Sequence, residues 1–241
     1  MCTLTYFPLN SKEYILTSNR DESAARGAAL LPQKFYSEEK IIIAPKDPLG
    51  GGSWIAVSDN GTSACLLNGA FGRHIPNPPY RQSRGLVLME SFNFDHVENF
   101  NLYYDLDGIE PFTLVIINSI PWMRIFEIKW DGQSSYSKLV DPEMPAIWSS
   151  PMMYPSEIIN ESEEKFLTFL QNNSSHINEE KLFEFNLSQR YELKMRAHKS
   201  EKIPILGTLS ITSVIHTLES NRMIYRELRS GIRSEVFLPS A

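Results

Sequence analysis

Met1-Cys2-Thr3-Leu4-Thr5-Tyr6-Phe7-Pro8, followed by Asn19-Arg20-Asp21-Glu22, is the stretch on which the fold of this chain turns. Residues 2–7 alternate in character and stop at Pro8, Asn10-Ser11-Lys12 supplies a turn, and Tyr14–Thr17 returns as a second strand. The tetrad ends that strand, either as a solvated turn or as polar groups carried back beside residue 2. Cysteine is small enough for Met1 to be removed ahead of it, which would leave a thiol and a free α-amine on one residue. Such an amine titrates near about 8, far below a lysine. It can therefore take the thiol proton, directly or through a water. Cys2 is thus either an accident of position two or a nucleophile. Asp21 would orient its α-ammonium. Arg20 would meet an anion or lock Asp21 or Glu22 by paired hydrogen bonds. If the segment is extended, Arg20 leaves the strand on the side opposite Asp21.

Outward from this hairpin, Phe35–Tyr36 and Ile41–Ala44 form a short pair, and Pro45–Gly52 is turn chemistry. Trp54–Ser58 and Thr62–Leu67 read as strands around Asp59-Asn60-Gly61. A Pro-rich loop, Gly72–Gln82, is long enough to cover a site. Helices are expected over Arg84–Phe92 and, capped by Asp95 with Glu98, through Tyr104. Strands follow at Phe112–Asn118, Met123–Trp130, Ser135–Val140 and Ile147–Ser150. Helices come next at Ser156–Gln171, Glu179–Phe185 and Gln189–Ala197. Strands at Ile205–Ile215 and Met223–Glu227 close the chain, with a turn at Ser220-Asn221. This grouping suits a layered α+β sandwich in one domain, 1–241, better than βαβ alternation.

The formal charge of −6 argues against an electrostatic nucleic-acid binder. No apolar run approaches a membrane span and no signal segment opens the chain, so a cytoplasmic protein is expected. The five histidines are scattered without metal-ligand spacing, so no metal is expected. Cys65 sits on an apolar strand as a core thiol. Trp54 packs in the core or lines a pocket, and Asn68-Gly69 is a turn or a catalytic element.

Met1-Cys2, Asn19-Arg20-Asp21-Glu22, Gly51-Gly52-Ser53-Trp54 and Leu67-Asn68, in this order, resemble the NRDE family, also called Transport-and-Golgi-organisation-two-like proteins. Arg81 to Gly85, which includes Arg84, resembles that family's Arg-Gly segment. The family is grouped with the N-terminal-nucleophile hydrolases, and the resemblance implies their four-layer αββα sandwich of mainly antiparallel sheets. Comparison with bile-salt hydrolases and penicillin V acylases implies Cys2 as nucleophile, Asp21 as its catalytic aspartate and Asn68 as an oxyanion donor. Such a donor contributes about 3–4 kcal/mol. Asn19, Arg20, Glu22, Trp54 and Arg84 would bind or support. Two departures stand out: Ser149-Ser150 replaces a Ser-Asn pair, and Gly207-Thr208-Leu209 replaces Gly-Thr-Arg. The resemblance implies a cysteine amidohydrolase acting on a non-peptide or acyl C–N bond, with no catalytic cofactor. It equally implies a non-catalytic handler of haem or a lipid-like acyl ligand. An acyltransferase would use the same nucleophile.

Overall fold

The computed structural model describes residues 3–36, 40–173, 177–190 and 206–240. Among them the strands are β1 (Thr3–Pro8), β2 (Tyr14–Ser23), β3 (Leu30–Tyr36), β4 (Ile41–Lys46), β5 (Ile55–Ser58), β6 (Thr62–Asn68) and β7 (Phe112–Asn118). They continue with β8 (Arg124–Trp130), β9 (Ser135–Val140), β10 (Ala146–Ser149), β11 (Leu206–His216), β12 (Ser220–Glu227) and β13 (Arg233–Pro239). The helices are α1 (Arg84–Ser91), α2 (Val97–Tyr103), α3 (Ser156–Asn172) and α4 (Glu179–Ser188).

Two antiparallel sheets result. One has the order β10-β1-β2-β11-β12-β13; the other is the meander β3-β4-β5-β6-β7-β8-β9. Period-two alternation decides which way each strand faces. Leu4 and Tyr6 of β1, with Tyr14 and Leu16 of β2, point into a core shared with Ile55, Cys65, Leu67 and Val115 of the other sheet. The opposite face of the first sheet carries Ile15 against Phe166 of α3 and Phe185 of α4. The opposite face of the meander buries Leu114 and Ile128 against Val87 of α1 and Phe100 of α2. Three apolar layers between four structural layers make the αββα sandwich, as the resemblance implied.

The outward face of β1 and β2 is polar where it meets α4. Asn186 is fully buried there; its Nδ2 donates to Thr17 O and Asn19 Oδ1 at 3.2 and 3.1 Å. Its Oδ1 accepts from Thr5 Oγ1 at 2.8 Å, and Asn19 Nδ2 donates to its backbone oxygen at 2.9 Å. An apolar face would not fix the helix position; this network does, because each of its buried polar atoms needs its partner.

Several expectations need correction. β2 does not stop at Thr17 but runs straight through the tetrad to Ser23, since β11 pairs along it and supplies the hydrogen bonds a turn would have lacked. Asp95 does not cap α2: His96 holds that position, and Asp95 pairs with Lys40 at 3.5 Å. Ser220-Asn221 opens β12 instead of forming a turn; Asn221 is buried, its Nδ2 donating to Ser58 O at 3.2 Å. The final strand, β13, lies beyond the strands expected from the sequence. It is an edge strand whose charged Arg233 and Glu235 dilute the apolar signal. The helix expected at Gln189–Ala197 falls largely outside the described residues, and α4 ends at Ser188.

Candidate active site

The site begins with a turn. Asp47, just past β4, accepts from the backbone N–H groups of Leu49 and Gly50 at 2.9 and 3.0 Å, and Gly51 turns the chain at φ 74°. The loop then meets the start of α1 backbone to backbone: Ser53 N donates to Gly85 O at 3.1 Å. A Cβ on Gly85 would lie 2.9 Å from Ser53 O, so only glycine permits the approach. This contact is the physical content of the Gly-Gly-Ser-Trp and Arg-Gly segments.

Between that contact and the end of β2 lies a cavity of about 370 Å³, lined by Arg20, Glu22, Trp54, Asn68 and Arg84. Five of the eight residues singled out from the sequence thus share one space. Arg26, Asp47 and Glu110 complete its charged wall. Arg20 does not lock Asp21 or Glu22 as expected. It points inward, 2% exposed, with its guanidinium 4.8 Å above the Trp54 ring. Its hydrogen bonds go to Asp47 Oδ2 and Gly27 O, both at 3.2 Å. Asp47 also accepts from Arg26 Nε at 2.7 Å. Burial opposes ionisation of Asp47, but the Gly50 N–H and Arg26 outweigh it and hold its carboxyl below the ordinary value. Arg84 pairs with Glu110 at 3.0 Å, and burial pulls its guanidinium below the usual value against that carboxylate. Trp54 both packs in the core and lines the cavity, while its Nε1 is buried without a hydrogen-bond partner among the described residues.

Asp21 takes the other face of β2, as strand alternation requires. It is 1% exposed; Tyr154 OH donates to its Oδ2 at 3.1 Å, and Thr208 Oγ1 donates to its Oδ1. Asn19 is part of the α4 network and does not line the cavity. Asn68 ends β6: its backbone oxygen accepts from Ser150 Oγ at 2.6 Å, and its side-chain amide makes no hydrogen bond among the described residues. Gly69 follows at φ 84°, where a Cβ would stand 2.9 Å from Met152 N, so the segment is also a turn. Cys2 lies outside the described residues; its neighbour Thr3 is paired with Asn19 on one side and Ser149 on the other. Sequence reading missed Asp47, Glu110 and Tyr154. Asp47 had a signal, an aspartate three residues before the glycine run that starts at Gly50. Glu110 and Tyr154 arrive from distant segments and had none.

Over residues 1–225 the sequence matches Transport and Golgi organisation 2. The chain belongs to that family. No curated protein matches its sequence at a significant level. Among solved structures, this Transport and Golgi organisation 2 chain is similar to a Cys-to-Ala mutant of conjugated bile acid hydrolase from Clostridium perfringens. The TM-score is 0.63 at 9% identity, covering 98% of this chain and 92% of that one. It is also similar to penicillin V acylase from Agrobacterium tumefaciens, with TM-score 0.51, 8% identity, and coverage of 98% and 86%. At such identities the likeness is one of fold, the N-terminal-nucleophile hydrolase sandwich. Within this Transport and Golgi organisation 2 chain the two departures have definite fates. Ser150 Oγ is spent on Asn68 O, and Thr208 on Asp21, with Leu209 next to it.

Proposed function

We propose that this Transport and Golgi organisation 2 chain is a cysteine-dependent amidohydrolase of small acyl amides. The observation that carries the reading is the buried Asp21 carboxylate, two residues beyond Asn19, the partner of Thr3. Strand rise makes that offset about 7 Å. The peptide bond to Thr3 keeps the Cys2 Cα within about 3.8 Å of the Thr3 Cα. In this reading the chain connection of Cys2 to Thr3 keeps the nucleophile near the part of β2 that carries the carboxylate. A carboxylate taken out of water needs compensation. Two hydroxyl donors supply part of it, and an α-ammonium would supply charge as well.

In the mechanism so read, Met1 is removed and the freed α-amine takes the Cys2 thiol proton. The thiolate attacks the amide carbonyl, and Asn68 Nδ2 donates to the oxyanion. The protonated α-amine gives its proton to the departing amine as the C–N bond breaks. Water, deprotonated by the same amine, then resolves the thioester and releases the acid. Asp21 holds the ammonium in place and takes no proton. Intact mass and turnover of an acyl amide test the reading together: loss of Met1 and abolition of turnover by Cys2→Ala are expected. Turnover by protein that retains Met1 would sink it.

A second reading, non-catalytic handling of a lipid-like or haem ligand, is favoured by one observation. The family's Asn and Arg counterparts are Ser150 and Leu209, which leaves fewer donors for a substrate. For haem, Tyr80 is the one side chain of an axial-ligand type among the described residues lining the cavity, none of which is His, Cys or Met. Titration of haem and of acyl-CoA against wild type and Cys2→Ala separates the readings, because binding without turnover, unaffected by the substitution, belongs only to the second.

A further inference from the structure

From the last residue of β10 toward α3, the short segment 149–154 touches three separate elements of the proposed reaction centre. Ser149 is the strand partner of Thr3, the residue bonded to Cys2. Ser150, fully buried, donates from Oγ to Asn68 O at 2.6 Å. Tyr154, also buried, donates from its OH to Asp21 Oδ2 at 3.1 Å. The segment is closed on itself, because the N–H groups of Met153 and Tyr154 both donate to Ser150 O, at 3.1 and 3.0 Å. Just ahead of it, Trp148 Nε1 donates to Glu127 Oε2 at 2.6 Å and ties β10 to β8 of the other sheet.

Those three elements do not share a sheet. Thr3 and Asp21 belong to β1 and β2 of the first sheet, whereas Asn68 ends β6 of the meander. The core between the sheets is apolar, with Leu4 and Leu16 facing Ile55 and Leu67. Apolar contact is non-directional. It holds two sheets together without fixing a group on one against a group on the other to the fraction of an ångström that a reaction requires. Hydrogen bonds, with their preferred distances and angles, can do so. From one closed turn, Ser150 reaches the meander and Tyr154 reaches the first sheet.

We infer that Ser150 and Tyr154 are positioning residues, and that the turn carrying them is a clamp that sets the Asn68 donor of one sheet against the nucleophile strand and Asp21 of the other. The inference rests on the hydrolase reading and adds two residues that act through others. Their roles divide by sheet. Tyr154 holds the carboxylate that orients the α-ammonium, so its effect falls on the Cys2 thiol. Ser150 holds the strand end that presents the amide donor, so its effect falls on the acyl step.

Two measurements on wild type, Tyr154→Phe, Ser150→Ala, Asn68→Ala and the Ser150→Ala/Asn68→Ala double variant separate these roles. One is alkylation of Cys2 by iodoacetamide against pH, read by peptide mass spectrometry; the other is turnover of N-octanoyl-glycinamide. Cys65 does not compete for the reagent, since it is fully buried and burial pushes its thiol up to about 12. Tyr154→Phe is expected to slow alkylation by about three- to tenfold near about pH 7 and to move its midpoint toward the ordinary thiol value of about 8.5. Ser150→Ala is expected to leave alkylation unchanged. In turnover, Ser150→Ala is expected to lower kcat by about 10–100-fold, as for a misplacement of about 1 Å, with KM nearly constant. Once Asn68 is alanine, the same substitution is expected to cost almost nothing more, because the two residues act as one unit. Alkylation indifferent to Tyr154→Phe, alkylation slowed equally by Ser150→Ala, or an undiminished Ser150→Ala loss in the Asn68→Ala background overturns the inference. Failure of the hydrolase reading looks different: alkylation slowed by Tyr154→Phe and not by Ser150→Ala, with no turnover of the amide by wild type.

Discussion

A Cβ built on Gly52 would lie 2.1 Å from the carbonyl carbon of Gly85, so the loop ahead of β5 and the first turn of α1 touch through bare backbone. Gly52→Ala therefore cannot be absorbed by a side-chain movement. Overpacking of this kind costs about 1–3 kcal/mol, which for a chain of this size lowers the melting temperature by about 2–4 °C per kcal/mol. Gly72→Ala is the control, because nothing lies within 4 Å of its Cβ position. Equal melting temperatures for the two variants would falsify the close-contact account.

Asp47 neutralises a buried arginine, and its removal should be felt at Arg20 first. Asp47→Ala is expected to destabilise by about 3–5 kcal/mol, the range for breaking a buried pair by deleting one partner. Arg26 adds little, since its side chain is 36% exposed. Asp47→Asn should cost less, because its amide oxygen still accepts from Leu49 and Gly50. Denaturant unfolding of the two variants side by side checks the order, and a reversal would refute it.

Among the described residues the Asn68 side-chain amide makes no hydrogen bond, so the fold should not depend on it. On the proposed hydrolase reading, Asn68→Ala is expected to reduce kcat by about 100–1,000-fold, the cost of removing an oxyanion donor, with the melting temperature nearly unchanged. A variant that melts early and keeps its kcat would make Asn68 a turn residue only.

His216 is buried against Tyr14, with ring centroids 5.0 Å apart, and its Nδ1–H donates to Asn221 Oδ1 at 2.7 Å. Burial holds its imidazole below the ordinary value, against the Asn221 bond and the Glu13 charge. The unfolded chain then binds the proton first, so this contribution is complete above about pH 6.5 and declines as the pH falls through that value. His216→Gln should melt below wild type at pH 7.5 or so, and the gap should narrow toward about pH 5.5. A gap that stays constant or widens in acid contradicts the assignment.

Much of this was legible in the chain itself, for reasons that can be named. Alternation wrote the facing of β1 and β2, and the hairpin signal at Asp59-Asn60-Gly61 wrote β5 and β6. The opposite exits of Arg20 and Asp21 followed from the strand period alone. The tetrad's own partners were not legible. Arg20 reaches Asp47 and Asp21 reaches Tyr154 and Thr208, contacts set by how distant segments stack. Polar letters at a strand end look the same whether they are solvated or buried, and only the pairing of β11 along β2 decides.

That pairing also makes the tetrad a ruler. Arg20 and Asp21 are neighbours with opposite charges committed to opposite sides of one strand. Sliding β2 by a single position would deliver the carboxylate to the Trp54 ring and the guanidinium to Tyr154. Inserting or deleting one residue between Tyr14 and Asn19 should therefore harm the protein more than most substitutions within the tetrad, because it exchanges two charges at once.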